Sequence, residues 1–432
     1  MQRPVIIVPG YYGSELVDIA TEALVWVNLH LPIQSGKILD AIRIDEGAPE
    51  RVKAGGILDS LTILPFLKPL IYGSLRHFLV DEVGYRREEV FTVGIDWRQS
   101  VTRLAGDLQQ KIQAILTRTG AKSADVIAHS HGGLAMRAYL TKHGPAAVSS
   151  LISVAVPHKG MLKTMQAVIE GIPLLGLSQS HVMKTARTFP SAYELLPNDV
   201  ADGLFTVGGA GADPCLAVDW AENDDLKRNL AKARPAIDAL GREFLVPTYV
   251  LYGTHQRTLT SCTATAGTVG AQFGVSDLGD GTVPMVSGMG SGLTSTKTLR
   301  RYAVPFADHM SLFNDPNARL LIKDILLERH REAYLAVQWN DTFYRRDETL
   351  QVAAALYTAD GEAIRDADVR LTIGGTALRN APMPLRDATS SYDLTVELQG
   401  VGGAVLHPTV TASSPSLSRP ITVSQLLMPA DQ

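Results

Sequence analysis

One stretch, residues 125–140, constrains the fold of this chain more than any other. An apolar run, Asp125-Val126-Ile127, leads into Ala128-His129-Ser130-His131-Gly132. The residues that follow, Gly133-Leu134-Ala135-Met136-Arg137-Ala138-Tyr139-Leu140, read as a helix. The order is strand, tight turn with a serine at its apex, helix. In so sharp a turn, a side chain two positions before or after the serine collides with a neighbouring strand or helix, so those positions must be small. Gly132 meets that condition. Ala128 stands where the G-x-S-x-G pattern has glycine, and it leaves almost no side chain. A turn of this kind lifts the hydroxyl above the sheet edge and suits a nucleophilic serine. A serine hydroxyl is a weak nucleophile by itself, so the rest of the chain must supply a base, an acid and donors for an oxyanion.

The remaining pattern predicts a sheet around that turn. Pro4-Val5-Ile6-Ile7-Val8 is a short β-branched run ending at Pro9-Gly10. A long irregular stretch to about residue 60 follows, holding Trp26 and the pair Gly55-Gly56. Helical spacing over 64–83, a strand at Val90–Ile95 and an amphipathic helix over 99–118 come next. Leu151–Val156 and Pro247–Gly253 are further buried strands, and a last helix spans roughly 315–333. Near-continuous apolar strands alternating with helices predict a mainly parallel sheet covered on both faces. The span 160–245 is helical in pattern and interrupts this rhythm. It is either a cap over the site, with 17–60 as a second cap segment, or an ordinary helical excursion with a buried face.

Beyond about residue 334 the period changes. Thr349–Tyr357, Asp368–Ile373, Tyr392–Leu398 and Pro408–Ala412 are short strand-like runs, separated by turn signals at Ala359-Asp360-Gly361 and Gly374-Gly375. They predict an all-β accessory domain over 334–432, most simply an immunoglobulin-like sandwich, behind a catalytic domain over 1–333. A chain of 432 residues fits two domains, and 45% hydrophobic residues suffice for a core.

The net charge of −4 and the lack of a basic block argue against nucleic acid as a partner. No stretch of about 18 apolar residues predicts a transmembrane helix. The first core strand begins at Pro4, which leaves no room for a signal peptide and predicts a cytoplasmic protein, or a secreted one if a leader precedes this sequence. Two cysteines, Cys215 and Cys262, make no metal cluster; one bridge and two free thiols both stand.

Two downstream segments fit the serine's needs. Gly279-Asp280-Gly281-Thr282-Val283-Pro284 sets an aspartate between two glycines, and Val304-Pro305-Phe306-Ala307-Asp308-His309 brings a histidine just before the last helix. Serine, then acid, then histidine is the chain order of the α/β-hydrolase fold. The expected roles are Ser130 as nucleophile, His309 as base and Asp280 as the acid that orients it. Asp277 and Asp308 are rival acids; His181 and His255 are rival bases. For the oxyanion, the expected donors are the backbone N–H of His131 and of Tyr11, in Val8-Pro9-Gly10-Tyr11-Tyr12-Gly13 after the first strand. Tyr12, His129 and His158 are candidate pocket residues, with His131's imidazole a further one.

These residues resemble the lecithin:cholesterol acyltransferase-like family of α/β-hydrolases, in a form like its bacterial lipase and esterase members. The resemblance rests on the Pro9-Gly10 opening, Asp96-Trp97-Arg98, the elbow Ala128–Gly133 and Pro157-His158-Lys159-Gly160. It also includes Phe189–Pro197, Gly279–Pro284 and His309, in order over about 4–330. Trp97 and Arg98 read as structural. The resemblance implies a lipid-directed acyl hydrolase or acyltransferase with a lid, no metal and no cofactor. Some bacterial secreted lipases with an Ala-x-Ser-x-Gly elbow are similar and can hold a structural zinc, but no His/Asp zinc set is evident here. The C-terminal β domain lies outside the family pattern, and its protein partner is not specified. The expected activity is a serine-dependent hydrolase of acyl esters, of lipase, esterase or phospholipase type, making transient contact with a lipid surface. Acyl transfer to an alcohol and a non-catalytic binding or scaffold role on the same fold are the alternatives.

Overall fold

The computed structural model describes residues 3–430 except 27–36, 59–71, 175–176, 330, 342, 346–348, 375–377, 379 and 399–404. Six parallel strands lie at its centre, in the spatial order Leu299–Pro305, Thr248–Thr254, Val148–Val154, Ala124–His129, Val5–Val8 and Val90–Thr92. Period-two alternation divides the first strand between two cores. Ile6 and Val8 join Val126 and Ala128 under the helices Val101–Thr119 and His131–His143. Val5 and Ile7 join Ile127 on the other face, with Tyr72, Leu75 and Phe78 and with Ala318, Leu321 and Ile322 of the helix Pro316–Leu326. Parallel strands need crossovers, on which Val101–Thr119 and His131–His143 lie; Pro316–Leu326 follows the last strand of the sheet and helps to cover the other face. Val101–Thr119 starts on Ser100, whose side chain accepts from the Thr102 N–H, and stops at Gly120 in a left-handed conformation.

Several expected elements differ. The stretch after Gly13 is not wholly irregular: Ser14–Asp18, Leu24–Trp26 and Val52–Ile57 form a three-stranded antiparallel sheet. The pairing of Ser14–Asp18 with Val52–Ile57 joins residues more than thirty positions apart, and Gly55-Gly56 weakens any local strand signal. Of the helix expected over 64–83, the part 64–71 lies outside the described residues; the rest is Tyr72–Phe78 followed by a π-helical turn, Leu79–Val83. The strand expected at Val90–Ile95 ends at Thr92. The last helix stops at Leu326, because Ala333–Trp339 pairs as a strand with Thr349–Thr358. An apolar run such as Ala333-Tyr334-Leu335-Ala336-Val337 suits either state until a partner strand decides it.

The span 160–245 contains the helices Leu162–Ile169, Gln179–Ala186, Pro190–Glu194 and Asp224–Asp238; Leu175 and Gly176 within it lie outside the described residues. Two short strands in it, Phe205–Val207 and Ala210–Gly211, join an unanticipated hairpin, Thr258–Ala264 with Gln272–Ser276. The apolar faces of this span pack with Leu16, Trp26, Ile38, Val52 and Trp97, so both insertions share one core. Cys215 and Cys262 are buried free thiols within it.

The C-terminal segment forms two four-stranded antiparallel sheets. Val337, Leu350 and Val352 of one face Val369, Leu371 and Val410 of the other across a shared core. The turn expected at Gly374-Gly375 falls partly outside the described residues. The strand Thr349–Thr358 is buried on both sides. Val352, Ala354 and Leu356 belong to the two-sheet core, while Ala355 and Tyr357 join the core of the central sheet. Its consecutive apolar residues are explained by this double burial rather than by one wet face.

Candidate active site

The elbow strand delivers Ser130 into a turn at φ 49° and ψ −127°, an uncommon backbone for a residue with a Cβ. Main-chain bonds hold it there: the Ser130 N–H donates to the Val154 carbonyl at 3.0 Å, and the Gly133 N–H to the Ser130 carbonyl at 2.9 Å. Close packing explains the small residues. A Cβ on Gly132 would sit 2.3 Å from the Pro9 carbonyl oxygen, and one on Gly10 would sit 2.7 Å from the Ser130 Cβ.

His309 and Asp280 come to this serine from two other strand ends. His309 Nε2 lies 3.0 Å from Ser130 Oγ, and its Nδ1 lies 2.8 Å from Asp280 Oδ2. A carboxylate only accepts, so Nδ1 carries the proton and Nε2 presents its lone pair to the serine hydroxyl. The second Asp280 oxygen accepts from the N–H of Thr282 at 2.9 Å and of Val283 at 2.7 Å, the tight loop that the flanking glycines suggested. The His309 N–H donates to the Asp280 carbonyl at 2.8 Å, so the two loops are also joined through the main chain. The rivals are engaged elsewhere: Asp277 with Arg386, Asp308 with the N–H groups of Met310 and Ser311, His255 with Asp393, and His181 with Asp40.

A buried relay ties the two halves of the site together. The Gly10 N–H donates to the Tyr72 hydroxyl at 2.8 Å, and that hydroxyl lies 2.7 Å from His129 Nδ1. His129 Nε2 lies 3.1 Å from the His309 carbonyl oxygen. Because that carbonyl can only accept, Nε2 bears the proton and Tyr72 donates to Nδ1. Burial, with His309 beside it, pushes His129 down to about 3, so the ring is neutral. His129 is therefore a buried strut rather than a pocket wall. Tyr72 was not singled out from the sequence. It lies 62 positions from Gly10, and no spacing signal connects them.

The N–H groups of Tyr11 and His131 have no acceptor among the described residues. His131 heads the helix His131–His143, where first-turn N–H groups have no intrahelical partner. Its imidazole is fully buried, lies 5.8 Å from the Tyr11 ring, and has no partner for either nitrogen among the described residues. Burial pushes it down to about 4. Tyr12 packs against Trp26 and Trp97, with ring centroids 5.0 and 4.6 Å away. His158 lies off to one side: its Nε2 meets the Ser153 hydroxyl at 2.8 Å and its ring the edge of Phe244. Arg98 grips Asp96 through two bonds and reaches the carbonyls of Ile42 and Val52, while Trp97 Nε1 donates to the Ser14 carbonyl. Asp96-Trp97-Arg98 thus fastens the first insertion to the sheet. The site is closed, with Ser130 only 2% exposed. A charged cavity of about 750 Å³ between Arg43, Arg187, Glu194 and Lys232 contains none of the site residues.

A parallel sheet with both faces covered, and a serine on a strand-to-helix elbow, defines the α/β-hydrolase fold. A chain of the solved Tle4-Tli4 complex shares that fold, with a TM-score of 0.55 and 15% identity over 76% of this chain and 98% of that one. The Bacillus licheniformis lipase BlEst2 aligns only loosely, with a TM-score of 0.38 and 10% identity over 98% of this chain and 74% of that one. Residues 68–233 match the family described as lecithin:cholesterol acyltransferase, a segment that includes Asp96-Trp97-Arg98, the elbow Ala128–Gly133, Pro157–Gly160 and Phe189–Pro197. Lecithin-cholesterol acyltransferase-like 4 of Arabidopsis thaliana is 24% identical over 406 residues, covering 74% of this chain and 75% of the relative.

Proposed function

We propose that this chain is a serine-dependent acyl ester hydrolase acting on a lipid or related ester through an acyl-serine intermediate. The unbroken chain from Ser130 Oγ to His309 to Asp280, at 3.0 and 2.8 Å, carries this reading. His309 Nε2 takes the hydroxyl proton as Ser130 Oγ bonds to the ester carbonyl carbon. The N–H groups of Tyr11 and His131 hold the resulting oxyanion, and Asp280 stabilises the imidazolium. The intermediate collapses, the C–O bond to the alcohol breaks, and His309 returns the proton to the departing oxygen. Water then repeats the sequence on the acyl-serine, releasing the acid and restoring Ser130. The half-buried rings of Tyr11 and Tyr12, with Tyr11 5.8 Å from the His131 ring, support an apolar acyl group. The segments 17–60 and 160–245 act as the lid, and 334–432 as an immunoglobulin-like accessory domain.

A second reading, acyl transfer to an alcohol, is favoured by the closure of the site, since an acyl-serine shielded from water survives long enough to meet another acceptor. It also matches the name of the plant relative. A fluorophosphonate probe labels the wild type and not Ser130→Ala, whose kcat on p-nitrophenyl esters falls by about 10⁶. Labelling that persists in the variant refutes the assignment. Graded acyl lengths, assayed with and without added alcohol, define the chain preference and separate hydrolysis from transfer.

A further inference from the structure

The acid and base loops meet in a knot. The strands Thr248–Thr254 and Leu299–Pro305 each exit through a non-glycine residue in the left-handed region, His255 at φ 67° and Phe306 at φ 58°. Such backbones persist only where the surroundings hold them. The His255 N–H donates to the Asp277 carbonyl at 2.8 Å, and the Gln256 N–H to the Gly279 carbonyl at 3.0 Å. Gln256 Nε2 donates to the Phe306 carbonyl at 2.5 Å, the Phe306 N–H to the Thr254 carbonyl at 2.9 Å, and the His255 and Phe306 rings lie 4.7 Å apart. Asp280 and His309 thus both hang from residues 254–256.

Two side chains from one C-terminal sheet grip this knot. Arg386 binds both oxygens of Asp277, at 2.8 Å each, three residues before Asp280. Asp393 Oδ2 lies 2.9 Å from His255 Nε2, while His255 Nδ1 lies 2.7 Å from the Thr254 hydroxyl. The two are braced together: Arg386 is 3.7 Å from Asp393, whose other oxygen accepts from the Ser391 hydroxyl at 2.7 Å. They stand on paired strands, with Arg386 opposite Ser391, so a sheet rather than a free loop presents them. A bidentate arginine–carboxylate pair fixes orientation as well as distance.

We infer that Arg386 and Asp393 are positioning residues for the active site, and that the C-terminal sheet that bears them braces the loops of Asp280 and His309. This rests on the reading of Ser130, His309 and Asp280 as the reacting groups. In the full chain, Arg386→Ala and Asp393→Ala lower kcat about ten- to a hundredfold, as expected for loops displaced by about an ångström, with KM within about twofold. In ¹⁵N-histidine-labelled protein, the downfield proton of His309 Nδ1–H shifts or broadens in both variants while the melting temperature is kept. The exchange Asp277→Arg with Arg386→Asp recovers activity that either change alone removes. Arg386→Lys, which keeps the charge but not the fork, serves if Arg386→Ala does not fold, and gives a smaller loss in the same direction. Folded variants with wild-type kcat and an unmoved resonance overturn the inference. A wild type that turns over no ester, but whose resonance moves in the variants, refutes the reading of Ser130 and leaves the bracing intact.

Discussion

The two sides of the site are held by different means. On the serine side, Ser130 is fixed by backbone: its N–H reaches Val154, its carbonyl receives Gly133, and Pro9 and Gly10 press against the turn so closely that no Cβ fits. On the other side, Asp280 and His309 sit on loops reached through His255 and Phe306, gripped by the charged side chains of Arg386 and Asp393. Both sides contain left-handed non-glycine residues. The serine side holds its strained residue by close packing and main-chain bonds, which the loss of any one side chain barely loosens. The other side depends on charged side chains from distant sequence, each of which one substitution removes.

The sharpest test of this contrast is Asp280→Asn. The amide keeps the shape of the loop but lets His309 adopt the wrong tautomer, so kcat falls by about 10⁴ while Ser130 remains in its turn. Steady-state kinetics with a crystal structure of the variant measures both; a loss below tenfold shows that the far side does not control the base.

A second test uses pH on the serine side. His131 is pushed down to about 4 and His129 to about 3, from an ordinary 6.5, by burial. Between those values and 6.5 the unfolded chain binds more protons than the folded one, so stability rises with pH through this window and is lost as pH falls. Each unit of depression corresponds to about 1.4 kcal/mol, so His131 accounts for about 2–3 kcal/mol of the loss by pH 4.5. His131→Phe flattens the curve by about that amount in urea titrations at pH 7.5 and 4.5. An unchanged curve contradicts the neutral, buried ring.

The smallest expected effect is at the strut between the two sides. Tyr72→Phe leaves the Gly10 N–H and His129 Nδ1 without their shared hydroxyl and lowers kcat about tenfold, in line with one misaligned group. A loss equal to that of Asp280→Asn makes the two sides one unit. No loss makes them independent.

Much of the site was legible because its signals are local or ordered along the chain. The elbow is five residues in succession, and the glycines around Asp280 mark the loop that holds its second oxygen. Other parts were not. His158 follows a strand end, as a pocket residue would, yet turns to Ser153 and Phe244; the direction of a side chain after a turn depends on what packs there. His129 adjoins the nucleophile and serves as a strut because Tyr72 arrives from a distant helix. The hairpin Thr258–Ala264 with Gln272–Ser276 carries no strong alternation, and its first strand pairs further with Phe205–Val207, more than fifty positions away.

Sequence alone determined the parallel sheet, the strand–serine–helix turn and the chain order of Ser130, Asp280 and His309. These follow from backbone sterics and hydrophobic period, which act over a few residues. Only the tertiary structure decided which groups hold Asp280 and His309 in register. Arg386 and Asp277 are 109 positions apart, and His255 and Asp393 are 138 apart. Their pairing depends on how a C-terminal sheet sits against loops from distant sequence, and no local preference encodes that geometry.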